Sequence, residues 1–285
     1  MNISADPLVR TTAAGWAISV INTLLERDVD PGLIKETVGW GGDAPPCDLN
    51  GRMSATGVLR LWSIGETRVG EHFGLEVGRR VNPKTLDLLG ASIWYSGTIR
   101  EAFARLAKYS QLIHRTGRAM LHARGRALEL RFHIAPDERD RAPAVALDAF
   151  VAAVCCIVRQ IHYASTKPLE VSLQRQAPLC ADRYDDLFGV RVAFGAPCNA
   201  LVFDAGVVDE PLPDSQRVFA CEIDRMIERH LRGLGIIDAR ALVSARILER
   251  MRGGELSLST IAREMGTTSR NVQWLLAADG TSYSA

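Results

Sequence analysis

The sequence has no HExxH or His-x-His pattern among its six histidines (His72, His114, His122, His133, His162, His230) and no GxSxG. Its glycine-rich stretch at residues 39–46 is not followed by GK[ST] or GxGxxG. Zinc-peptidase, serine-hydrolase and nucleotide chemistry therefore have no frame to carry them. The six cysteines (Cys47, Cys155, Cys156, Cys180, Cys198, Cys221) show no CxxC or Cys/His spacing, so neither a zinc site nor a redox pair is indicated. Asp182, Asp185 and Asp186 form an acidic cluster, which on a helical turn reads as a solvated face. The N-terminus lacks the basic–apolar–small order of a signal peptide, and no uncharged apolar run is long enough to span a membrane. These absences predict a cytoplasmic protein with no membrane partner, no metal, no cofactor and no catalysis. Charge of one sign is also missing. The net charge is +1, so bulk electrostatics argue neither for nor against nucleic acid.

What is present is ordinary globular material. The chain is 47% hydrophobic and 24% charged over 285 residues, enough for one large or two ordinary domains. Apolar residues recur at helical spacing in residues 7–27, 33–38, 53–67, 73–80 and 102–114. Thr98 followed by Glu101 is a capping-box pattern ahead of the last of these. The period then switches to two. Residues 120–134 alternate around Arg124-Gly125-Arg126 as a hairpin does. A long apolar helix over 142–162 and further strands at 169–175, 190–194 and 200–203 follow. Helices first, then strands mixed with one long helix, predict an α+β fold with a largely antiparallel sheet. Pro211-Leu212-Pro213 reads as a boundary, giving one unit over 1–210 and a second over 211–285 that opens with an amphipathic helix at 216–234. Its apolar stripe (Phe219, Ile223, Met226, Ile227, Leu231) predicts a covering partner, and hence a homodimer.

The C-terminal stretch, Ser257 to Ala285, predicts two short helices meeting at Gly266. Ser257 is placed to cap the first, and Leu258, Ile261, Ala262 and Met265 form its inner face. Thr268 or Ser269 can cap the second, whose inner face is Val272, Leu275 and Leu276. A small residue, a turn glycine and then an apolar anchor is the spacing a helix-turn-helix requires, although a plain helical hairpin shares it. From Arg240 onward six arginines face four acids, a weak basic footprint.

The run Gln273 to Tyr283, with Leu276-Ala-Ala-Asp-Gly-Thr-Ser-Tyr283, resembles the end of the first helix-turn-helix of AraC-type transcriptional regulators. A second resemblance lies upstream: Leu88-Leu89-Gly90, Thr98 to Ala102, Arg105 to Tyr109, and Phe194-Gly-Ala-Pro-Cys-Asn-Ala-Leu-Val-Phe-Asp204. These look like the arabinose-binding-type N-terminal domain that many AraC regulators share, a name that does not identify a sugar. The resemblance implies a DNA-binding regulator controlled by a small-molecule effector. Three departures accompany it: Trp274 and Leu275 stand where the family usually has two basic residues, Ser269 where it commonly has proline, and the sequence stops just after the first of two helix-turn-helix units. Weak binding to double-stranded DNA is the expectation. The alternative is an effector-binding or dimerising protein that does not read an operator.

Two sets of side chains follow as candidates. For DNA they are Ser269, Arg270, Asn271, Gln273 and Trp274 on the first turns of the second helix, where Arg can fork onto guanine and Asn or Gln onto adenine. For the effector they are Trp94, Tyr95, Tyr109, His114 and His133, which offer apolar bodies with a few polar groups where helices give way to sheet. Core aromatics and surface histidines would look the same in the sequence.

Overall fold

The computed structural model describes residues 11–42, 52–113, 117–134, 143–233 and 257–264, together with residues 269 and 273. A short ribbon pairs β1 (Thr11–Ala13) antiparallel with β2 (Arg52–Ser54), and each strand runs straight into a helix. These helices are α1 (Ala14–Glu26) and α3 (Ala55–Arg68), with α2 (Pro31–Val38) between them. Asp30 caps α2 by accepting from Gly32 N and Leu33 N, and Pro31 occupies the first turn, where its missing N–H costs nothing. Next come α4 (Phe73–Arg80), a 3₁₀ turn at Pro83–Leu86, α5 (Asp87–Trp94) and α6 (Ile99–Tyr109). Thr98 accepts from Glu101 N at 3.1 Å, but the Glu101 carboxylate reaches back to Gly97 N at 2.8 Å rather than to the cap's own N–H. The expected capping box is thus formed one residue wide of its usual geometry.

The sheet contains β3 (Gly117–Arg124), β4 (Ala127–Ile134), β5 (Glu170–Leu173), β6 (Val192–Phe194) and β7 (Asn199–Asp204), in the spatial order β3-β4-β7-β5-β6. Every pairing is antiparallel except β5 with β6. The α+β class read from the sequence is therefore the observed one. The register places Leu128 opposite Phe203 and Leu130 opposite Leu201. Onto this face pack α6, through Phe103 on Phe203, and α7 (Ala144–Ile161), through Phe150 on Phe132, with ring centroids 5.5 and 5.4 Å apart. Trp16, Trp62 and Phe73 continue the aromatic chain across α1, α3 and α4. Each such ring, fully buried, contributes on the order of 2–3 kcal/mol of transfer free energy.

Helix α7 is long and apolar enough to cross a membrane by length and composition, yet most of it is buried inside the fold. Its tightest neighbour is α4. A Cβ on Gly74 would stand 2.1 Å from the Val145 carbonyl oxygen, and one on Gly78 would stand 2.5 Å from the Ala152 Cβ. The Gly74-x-x-x-Gly78 spacing aligns both glycines on one face of α4, so the two backbones come into direct contact.

The FGAP-x-N-A motif explains itself structurally. Gly195 takes a positive φ of 66° and donates to the Arg175 carbonyl. The buried Asn199 accepts from Gln174 N and donates to the Gln174 side chain, both at 2.8 Å. The motif stitches β5 to β7. Alongside it, Arg175 donates to Asp148 on α7 at 2.6 Å and to Glu71 at 2.7 Å, and the hydroxyl of Tyr184 on α8 (Ala181–Phe188) lies 2.7 Å from the same Asp148 oxygen. Burial pushes the Asp148 carboxyl up to about 6 against the opposing pull of Arg175 and Tyr184.

After α9 (Ala205–Asp209) comes α10 (Arg217–Gly233). The sequence places the division between units at 210/211. Contacts instead carry the first compact unit to Ile227, and the second spans Glu228–Ala285. The reason is that the proline stretch is tied back: Pro211 bridges to Thr98, Leu212 N donates to the Gly97 carbonyl, and Gln216 N donates to the Tyr95 carbonyl, both at 3.0 Å. The stripe on α10 is also covered within the chain, since Ile223 and Ile227 are buried, while Val218, Phe219 and Met226 stay exposed. In the second unit, α11 (Leu258–Glu264) starts as the sequence predicts, with the Ser257 hydroxyl accepting from Thr260 N at 3.1 Å. Ile261 and Ala262 are buried there.

Candidate functional site

The turn before α5 is built by Asn82 and Thr85. The Asn82 side chain accepts from Lys84 N at 3.0 Å, and Asn82 N donates to the Thr85 hydroxyl at 3.0 Å. This reciprocal cap, with Pro83 in the first position, fixes the turn without help from the rest of the fold. Gly90 lets α5 close on it, because a Cβ there would lie only 1.6 Å from the Pro83 carbonyl oxygen. Asp87, where turn becomes helix, holds φ 52° and ψ −130°, a region that side-chain-bearing residues rarely occupy. Such strain persists only where the surroundings impose it, and it clusters at binding sites.

Beside this junction lies a cavity of about 480 Å³. Pro83 and Ala91 line it, Trp94 and Tyr95 give it an aromatic wall, and Asn82, Lys84, Asp87 and Gln160 supply polar groups. Size and composition are those of a small-molecule site, mostly apolar with a few placed polar atoms. A second space, enclosed by Trp16, Phe103, Phe150 and other apolar side chains, measures about 20 Å³. It has room for one water-sized sphere and no polar partner for it, so it is a packing gap.

The cavity wall is also the seat of α10. The Tyr95 ring meets the Phe219 ring edge-on with centroids 4.9 Å apart. Asp224 accepts from Ser92 and, at 3.1 Å, from Arg105, while Arg217 pairs with Glu101 at 3.0 Å. Ser92 and Tyr95, on and just after α5, thus hold α10 from the helix that lines the cavity.

Of the residues picked from the sequence, Trp94 and Tyr95 come together in this wall. Tyr109 is buried in the core, with Lys108 5.0 Å from its ring centroid, and His133 is exposed on β4. His114 lies outside the described residues, as do Arg270, Asn271 and Trp274. Ser269 is half-buried and Gln273 exposed, both helical. Sequence reasoning missed Lys84, Asp87 and Gln160. The Asn-Pro-x-Thr turn signal at 82–85 was available, but Gln160 is one polar residue near the end of an apolar helix and carries no signal. Among the described residues no His/Cys/Asp/Glu group could hold a metal. Cys155 is a buried core thiol, pushed up to about 12 by burial.

The family model described as "Arabinose-binding domain of AraC transcription regulator, N-term" matches residues 44–212. The chain belongs to the AraC family of transcriptional regulators, among those with this N-terminal domain. It is similar to the ornithine utilization regulator of Pseudomonas aeruginosa, 23% identical over 235 residues that cover 82% of this chain and 69% of that protein. The crystal structure of the transcriptional regulator CdpR from Pseudomonas aeruginosa shares the fold, with a TM-score of 0.55 at 14% identity, covering 100% of this chain and 82% of that one.

Proposed function

We propose that this AraC-family regulator is switched by a small-molecule effector bound in the cavity between the Pro83 turn and α5. Residues 1–210 form its sensing and dimerising part, and residues 211–285 the linking helix and a helix-turn-helix segment that contacts double-stranded DNA. The observation that carries the reading is the shared use of Tyr95, which lines the cavity and packs on Phe219 of α10. A ligand pressing on the Trp94–Tyr95 wall bears on that contact, and so has differential affinity for two placements of α10. Only such a difference lets a ligand shift an equilibrium. DNA contacts are assigned to Ser269, Arg270, Asn271, Gln273 and Trp274. The working form is a cytoplasmic homodimer, since a regulator acts where its DNA is, and the exposed Val218 and Met226 offer α10 an apolar strip for a second copy.

The test is a reporter driven by the promoter region beside the chain's own gene, screened against small metabolites. A response abolished by Trp94→Ala and by Tyr95→Ala, with the protein still folded, supports the assignment. An undiminished response in both variants overturns it.

A further inference from the structure

The effector reading leaves the chemistry of the ligand open, and the state of the lining side chains narrows it. Asp87 already has an interaction partner in the chain, so its carboxylate is answered without a guest. Asn82 is engaged too, its side chain accepting from Lys84 N and donating to the Arg80 carbonyl at 3.2 Å. Among the described residues, the side chains of Lys84, Trp94 and Gln160 make no hydrogen bond or ion pair. The groups left for a guest are therefore an ammonium, an indole N–H and an amide. Two of these only donate, and one carries a positive charge. A set of this kind suits an acceptor with one negative charge. A dianion would bring a second negative charge that no cation of the lining is left to meet. An ammonium on the guest would find the one carboxylate of the lining taken, and a neutral guest gains nothing from Lys84.

The rest of the wall decides the body of the molecule. Pro83 and Ala91 are apolar, and the half-buried Trp94 and Tyr95 offer rings on which a flat apolar group can stack. Ring faces carry negative potential, so they turn a carboxylate away and leave it to Lys84. We propose that the cavity takes a small monocarboxylate with a flat apolar body, its carboxylate on Lys84 and its body against Trp94 and Tyr95. The proposal rests on the effector reading above and names the ligand class for that site.

The experiment titrates the whole 285-residue chain by calorimetry and by tryptophan fluorescence. The probes are benzoate, 3-phenylpropanoate and indole-3-acetate, each beside its primary amide, with L-phenylalanine as the zwitterion and phenylsuccinate as the dianion. The expected result is binding of at least one of the three acids. That acid should bind about tenfold or more tighter than its amide, and tighter than the zwitterion and the dianion. Lys84 is exposed and its side chain engages no partner, so Lys84→Met should leave the Tm unchanged. The same variant should cost the acid about tenfold and leave the amide where it was, and Lys84→Arg should keep the preference for the acid. Binding by none of the three acids, or acid binding indifferent to Lys84→Met, would overturn the proposal. Equal binding of acid and amide, or tightest binding of L-phenylalanine or phenylsuccinate, lost in Trp94→Ala, would overturn the monocarboxylate class and leave the effector site standing. A reporter response indifferent to Trp94→Ala and Tyr95→Ala would remove the effector reading and this proposal with it.

Discussion

The ring of Phe219 on α10 stands edge-on against the ring of Tyr95, just past the end of α5, with centroids 4.9 Å apart. One face of that contact is a cavity wall, and the other is the helix that leaves the first compact unit. Phe219 remains half-exposed, so the contact is made at the surface and can be broken without opening the core. Firm docking of α10 comes from elsewhere, from the buried Ile223 and from Asp224 on Ser92 and Arg105.

A double-mutant cycle isolates this pair. Tyr95→Ala, Phe219→Ala and the double variant should give a coupling of about 0.5–1 kcal/mol in urea unfolding, the lower part of the range for aromatic pairs because both rings are partly solvated. Additive single variants would show that the rings are neighbours without interaction.

The α4–α7 contact makes a second expectation. Gly74→Ala puts a methyl 2.1 Å from the Val145 carbonyl oxygen, and backbone cannot yield as a side-chain tip can. A loss of about 3 kcal/mol or more is expected, at or above the top of the usual cost of overpacking. Gly41→Ala, with nothing within 4 Å of its Cβ, is the control and should be near neutral by thermal melting. Equal effects of the two substitutions would refute the close approach.

The third expectation concerns pH. The Asp148 carboxyl sits at about 6 in the fold against an ordinary 3.8, because burial outweighs the attraction of Arg175 and Tyr184. Between these values the folded chain holds a proton that the unfolded chain has lost. The stability this proton contributes is therefore fully present below about pH 4 and is lost as the pH rises through about 6. It amounts to roughly 3 kcal/mol. Stability of the parent chain measured against Asp148→Asn should show this slope between pH 4 and 6 and a constant difference above 7. A difference that is flat from pH 4 to 8 contradicts the buried titration.

Much of this fold was legible because its periodicities are local. The hairpin around Arg124-Gly125-Arg126, the apolar run that became α7 and the Ser257 cap each stand in a few adjacent residues. The stretch at 83–94 was not assigned, since a 3₁₀ turn closing on a short helix has neither enough length nor enough amphipathicity to show. What surrounds Pro211 was legible only in part, for a different reason. Proline marks where regular pairing stops, but the hydrogen bonds that tie residues 211–216 to Tyr95 and Gly97 are made across more than a hundred residues of sequence. The site divides the same way. Trp94 and Tyr95 were visible as aromatics near a change of period. Lys84, on the turn before α5, and Gln160, on α7, line one cavity only in the folded chain, and no spacing along the sequence records that.

The last expectation is for DNA. From Ser269 onward the sequence offers Arg270, Asn271 and Gln273, residue types able to read base edges, each bidentate contact worth roughly 1–3 kcal/mol. Directly after Gln273 stand Trp274 and Leu275, which cannot neutralise a phosphate. Each missing phosphate contact removes a counterion-release contribution, so the salt dependence should be shallow and the affinity low, near about 10⁻⁴ to 10⁻⁶ M at physiological salt. Gln273 is exposed and Ser269 half-buried. Fluorescence anisotropy with duplex from the promoter region beside the chain's own gene decides the matter, using the parent chain, Arg270→Ala and Gln273→Ala. Weaker, less selective binding by both variants is the expected outcome. Identical weak binding by all three would mean that this helix does not read sequence, leaving a protein that senses and dimerises without an operator of its own. Nanomolar, sequence-selective binding by the parent chain would instead show that the missing basic pair is compensated by contacts elsewhere on the chain.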